Sequence, residues 1–187
     1  MAFPLPIVQT GHPALRADAR ELSSAEIKSA EIQELIEIMR ETMRAAPGVG
    51  LAAPQIGHSI KLTVIEDEAG EKTKLNQQEL EDRERYPVPF HVLINPILQP
   101  ASDDNVDFFE GCLSVSGYAA SVARYRSVNV AALNEHGEEV SINATGWYAR
   151  ILQHEIDHLN GILYIDRMNS TTFTTVENKA RYWDQCR

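Results

Sequence analysis

The chain has 187 residues, 43% hydrophobic and 24% charged, with a net charge of −10. These are the proportions of one globular domain, residues 1–187, and the acidic balance excludes nucleic acid and anionic membranes as general partners. No apolar run approaches the roughly 20 residues of a membrane span, and two cysteines, Cys112 and Cys186, exclude a disulfide framework.

The opening Met1-Ala-Phe-Pro-Leu-Pro6 lacks the basic n-region of a secretory signal and the Arg/Ser-rich character of a transit peptide. The expectation is a cytoplasmic bacterial protein, or an organellar one if a presequence has been removed. A reducing compartment suits the two thiols. Residues 4–22, with prolines at 4, 6 and 13, read as irregular. Ser23 and Glu26 then form a capping-box pattern, with the regular helix beginning several residues later. Ile32, Leu35, Ile36, Met39 and Met43 recur at helical spacing, so an N-terminal amphipathic helix presents one apolar stripe until Pro47-Gly48 stops it.

Gly48-Val-Gly-Leu-Ala-Ala-Pro-Gln55 follows, small enough in its side chains for a backbone to approach a ligand closely. It lacks the lysine of a phosphate loop, and a tight helix-to-strand connection is its simplest reading. Gln55 is its one polar side chain, able to donate to a carbonyl or an oxyanion. Residues 60–66 read as a strand. Asp67 to Arg85, charged and without apolar period, reads as a surface excursion. Val92–Asn95 resumes β character before Pro96. Residues 121–133 and 138–143 read as a hairpin joined at 134–137. A short tail helix is expected over 176–183.

Gln153-His-Glu-Ile-Asp-His158 sits in a helix expected from about Trp147 to Leu159, closed by Asn160-Gly161. Four-residue spacing stacks His154 and His158 on one face, where both can hold one metal ion, with Glu155 in reach of a water beside it. Two histidines at this spacing also occur on solvated helix faces. A catalytic metal needs a third ligand, and Cys112, freed by Gly111, is the best candidate, although a lone cysteine is more commonly a buried structural thiol. Cys186 fits no site. Trp147 and Ile151 share the face of His154, either packing the helix or walling a pocket beside the metal.

Three blocks in order, Gly48-Val-Gly-Leu-Ala-Ala-Pro-Gln55, Glu110-Gly-Cys-Leu-Ser114 and Gln153-His-Glu-Ile-Asp-His158, resemble those of the peptide deformylases. The likeness covers nearly the whole chain. Trp147-Tyr-Ala-Arg-Ile-Leu-Gln153 and Ile165-Asp-Arg-Met-Asn-Ser-Thr-Thr-Phe-Thr174 look most like the branch found in organelles and some bacteria. The resemblance implies an α+β fold, with antiparallel strands packed around a central metal-binding helix. It implies a metal held by Cys112, His154 and His158, with Glu155 as general acid/base and Gln55 and the Leu113 N–H on the oxyanion. Substrate contacts would come from Val49, Gly50, Glu110, Gly111, Trp147 and Ile151. The implied activity is removal of the formyl group from N-formylmethionine of nascent peptides, with ferrous iron (Fe2+) the expected metal and Zn2+, Ni2+ or Co2+ able to replace it. Transient ribosome association is a further implied contact. Ala119 departs from the arginine of many bacterial members, and Ser116-Gly117-Tyr118 replaces a proline-containing turn. The rivals are an H-E-x-x-H metallopeptidase, whose third ligand normally lies further along the chain, and a non-catalytic metal-binding protein, which would need neither Glu155 nor Gln55.

Overall fold

The computed structural model describes residues 4–69 and 75–184; Cys186 lies outside them. Ser23 caps helix α1 (Ser24–Ile27) by accepting from the Glu26 N–H, and the Glu26 carboxylate accepts from the Ser23 N–H at 2.9 Å. Ser29 then caps α2 (Ala30–Ala45), which buries Ile32, Leu35, Ile36, Met39 and Met43. That face packs with Leu51, Leu62, Val64 and Ile94 in one apolar cluster. Truncating Leu35 to alanine is expected to cost about 2–5 kcal/mol of stability in urea unfolding. A loss under about 0.5 kcal/mol would mean that Leu35 contributes little to the core.

Strands β1 (Gly50–Ala52), β2 (Leu62–Asp67), β3 (Val88–Pro100), β6 (Ser127–Leu133) and β7 (Glu139–Thr145) form an antiparallel sheet in the order β1-β2-β3-β6-β7. A second antiparallel sheet has the order β4-β5-β8, from β4 (Asn105–Cys112), β5 (Val115–Tyr125) and β8 (Thr174–Thr175). The β4–β5 hairpin therefore leaves from the end of β3 and returns to the start of β6. Its neck is closed where the Ala101 N–H donates to Ser127 O and the Arg126 N–H to Asp104 O. Helix α4 (Gly146–Leu159) packs against strands of both sheets, and 10 of its 14 residues are buried. The fold is α+β, with antiparallel sheets around this helix.

Two local expectations need correction, and a third gains detail. Residues 121–133 are not one strand, because the chain breaks at Arg126 and passes from one sheet to the other. Val122, Arg124, Val128 and Val130 are all buried, so the alternation runs through the break without losing phase. Only 127–133 pairs with 139–145 across the 134–137 turn. Next, β3 does not stop at Pro96. Asn95 takes a positive φ of 51° and the register shifts there, the kind of bulge that tolerates a proline. The Asn95 side chain fixes the bulge through paired bonds to the Leu22 backbone at 2.8 and 2.9 Å. Finally, the surface excursion contains α3 (Gln77–Asp82), which buries nothing and rests on an Asn76/Glu79 capping box. The tail, expected helical over 176–183, forms a short helix, Val176–Asn178, and a π-helical turn, Lys179–Trp183.

Candidate active site

Two glycines delimit the helix that carries the histidines. Gly146 takes φ 60°, and a Cβ there would stand 2.4 Å from Cβ of Glu84; Gly161, at φ 69°, ends the helix against the Arg16 backbone. Within it, His154 and His158 lie one turn apart, ring centroids 5.0 Å from each other. Cys112 approaches from the tip of the β4–β5 hairpin, where a register shift between Gly111 and Cys112 re-aims the strand end. Its Sγ stands 3.2 Å from Nε2 of His158. One donor atom from each of Cys112, His154 and His158 falls within 4.8 Å of the others.

A buried ionic chain holds the ring of His154. Its Nδ1 bonds Oε2 of Glu110 at 3.0 Å, which leaves Nε2 as the donor atom of this residue. Glu110 also accepts from Nε and Nη2 of Arg124 at 2.9 and 3.0 Å and from Nη1 of Arg150 at 2.7 Å. Burial opposes its charge, yet the hydrogen bonds from His154 and Arg124 prevail and hold its carboxyl well below the usual carboxylate range. Arg124 continues to Asp157, which Arg167 grips in bidentate fashion at 2.7 and 2.8 Å. Breaking one member would strand a buried charge, a change that costs about 3–5 kcal/mol in comparable pairs.

Burial pushes the Glu155 carboxyl up to about 7, and its Oε2 has no hydrogen-bond partner among the described residues. Gly50 makes room for it: a Cβ there would lie 2.3 Å from Oε1 of Glu155. Burial also drives His158 well below the ordinary imidazole range, keeping it in the neutral form that binds metals. The amide of Gln55 is oriented by the Ala52 N–H, which donates to its Oε1 at 2.8 Å. Its Nε2 is thereby directed at Sγ of Cys112 and Oγ of Ser114, at 3.6 and 3.3 Å.

These groups open onto one cavity of about 570 Å³. Val49, Gly50, Gln55, Glu110, Gly111, Cys112, Leu113, Trp147, Ile151, His154 and Glu155 border it, and His158 is fully buried behind them. Glu110 borders the cavity while its carboxylate is committed to His154 and the two arginines. Sequence reasoning passed over Arg85, Phe109, Arg150 and Val176, which also border the cavity. A charged residue within the apolar lead-in to the histidines was a visible signal for Arg150. Val176 had none, since only tertiary contacts, the β8 pairing with β5 among them, bring that segment to the hairpin.

The donor set fits a metal ion. A thiolate with two imidazoles suits zinc or ferrous iron, and the 3.2 Å edge between Cys112 and His158 is close to the roughly 3.5 Å separating ligands of a tetrahedral ion.

Comparison with known proteins agrees in extent and in architecture. Over 172 residues the chain is 46% identical to peptide deformylase 1A, chloroplastic/mitochondrial, of Arabidopsis thaliana, covering 92% of this chain and 64% of that protein. It thus spans just under two thirds of the plant relative's length. Peptide deformylase 3 of Streptomyces avermitilis is 46% identical over 182 residues, covering 97% of this chain and 79% of that one. Among solved structures, the class I type b peptide deformylase of Acinetobacter baumannii with Met-Ala-Ser bound superposes with a TM-score of 0.79 at 32% identity, covering 90% of this chain and all of that one. The family described as polypeptide deformylase matches residues 4–174, a span holding every residue of the cluster and both sheets but for Thr175 at the end of β8, and the chain belongs to that family.

Proposed function

We propose that the chain is a metal-dependent deformylase that hydrolyses the formamide of N-terminal N-formylmethionine, adding water across the C–N bond to release formate and a free amine. The observation that carries this reading is Glu155, a buried carboxyl with an unpartnered oxygen, in the same cavity as the Cys112, His154 and His158 cluster. One ion, Fe2+ on the strength of the family resemblance, with Zn2+, Ni2+ or Co2+ as replacements, would be held by those three residues and supply Lewis acidity and a lowered water pKa when bound.

The remaining work falls to the chain. Glu155 takes a proton from the attacking water and passes it to the departing amine, a dual role that a carboxyl near neutral pKa suits. Gln55 donates Nε2 to the developing oxyanion, joined in our assignment by the Leu113 N–H. Glu110 positions His154 rather than touching substrate. Val49, Gly50 and Gly111 border the peptide, while Trp147 and Ile151 wall the space for the methionine side chain. An H-E-x-x-H peptidase is disfavoured because the third donor is an upstream thiolate.

The partners are nascent formylated peptides, with transient contact at the ribosome. No helix among the described residues is long and apolar enough to cross a membrane. The proposed home is the bacterial cytoplasm, or an organelle if a presequence has been removed. Formate release from formyl-Met-Ala-Ser by anaerobically purified protein tests the reading. Cleavage of unformylated internal peptide bonds without formate release would replace it with the peptidase.

A further inference from the structure

Trp147 borders the cavity, and it does not stand there alone. It lies seven residues from His154 on the same helix face, about 10 Å along the axis at 1.5 Å per residue. The guanidinium of Arg85 sits over its ring, 5.3 Å from the centroid. Arg85 comes from the far end of the charged excursion and is itself locked. Its Nε and Nη2 donate to Oδ2 and Oδ1 of Asp67 at 2.8 and 2.9 Å, with side-chain exposures of 9% and 2% for the pair. Asp67 is fixed in turn at the end of β2, where it also accepts from the Ala69 N–H.

On the other side of Arg85 is a second cavity of about 330 Å³, bordered by Arg44, Glu66 and Asp67. Both cavities touch Pro47, Gly48, Val49 and Arg85, so this short stretch of backbone and one side chain divide them. Arg85 suits such a partition. Its polar edge is spent on Asp67 and its flat face lies on an indole, so the pocket side carries little unbalanced charge.

We propose that Arg85, locked by Asp67 against Trp147, is the end wall of the pocket for the first side chain and sets the longest side chain accepted. The inference rests on the deformylase reading of the same cavity. Without the wall, the pocket runs on into the second cavity and its length limit is lost.

The test compares two formylated tripeptides, formyl-norleucyl-Ala-Ser and formyl-2-aminooctanoyl-Ala-Ser, whose first side chains differ by two methylenes. Wild type should favour the shorter by about 100-fold or more in kcat/KM, since each methylene in or out of an apolar pocket counts for about 10-fold or more. Arg85→Ala should lower that ratio by about 10-fold or more, by gaining on the longer peptide. Because Arg85→Ala strands a buried carboxylate, Arg85→Ala/Asp67→Ala is measured beside it, and the same ratio is read from binding of the unformylated tripeptides. Loss of packing alone would slow both peptides together and leave the ratio in place. A ratio within about threefold of wild type in the folded double variant overturns the proposal. No formate from either peptide with metal-loaded wild type would instead overturn the deformylase reading beneath it.

Discussion

Glu155→Ala protein is expected to retain its metal and lose about 10²–10⁴-fold or more in turnover of formyl-Met peptides, because the proposed mechanism gives the water proton to this carboxylate. Gln55 can donate to an oxyanion, and the carboxylate of Glu110 is occupied by His154, Arg124 and Arg150. A variant within about tenfold of wild type would remove Glu155 from the chemistry. The same residue leaves a mark on stability. Its carboxyl ionises near 4.5 when solvated and at about 7 when buried, so in metal-free protein the unfolded chain releases this proton first as pH rises. Stability is fullest below about 4.5, declines between the two values, and has lost about 3 kcal/mol above about 7. Glu155→Gln should therefore stabilise chelator-treated protein in urea at pH 8 and have little effect at pH 4.5. An equal difference at both pH values would show that burial of this carboxyl is not the cause.

Cys112→Ala and His158→Ala are each expected to emerge from a desalting column without metal, against about one ion per chain in wild type. The thiol is the donor that distinguishes this cluster, since it approaches from the hairpin while both imidazoles come from one helix. Loss of either leaves two donors, too few for a tight catalytic site. Metal content by elemental analysis, with circular dichroism to confirm the fold, reads the result without recourse to activity. Full occupancy in either variant would require a different ligand set.

Much of this site was legible in the sequence, and the reasons differ by residue. His154 and His158 declare themselves because helical spacing converts directly into a shared face. The stripe from Ile32 to Met43 is legible for the same reason. Cys112 could be nominated by elimination, but only the hairpin shows how it arrives. The break at Arg126 was invisible because burial keeps its alternation on both sides. The helix at Gln77–Asp82 buries nothing, so no periodicity marked it, although the Asn76 and Glu79 pair could have been read as a cap. Arg85 was beyond reach of any local pattern. Its place depends on Asp67 and Trp147, 18 and 62 positions away, which meet only in the folded chain.

The neck of the β4–β5 hairpin has a consequence for how this family can diverge in length. Cys112 is mounted at the tip, and the strand beneath it is anchored where Ala101 and Ser127 join the other sheet. One residue added between Asn105 and Gly111 turns every later side chain to the opposite face, the thiol included. Two residues restore the face but move the thiol outward by about 7 Å, well beyond reach of the imidazoles. The 134–137 turn is under no such constraint, since its neighbours are Ile27, Lys28 and Gln33 rather than the cavity. Added length there raises the closure cost only logarithmically. Added length is therefore admissible at the 134–137 turn, whereas the span from neck to thiol is held at a fixed residue count.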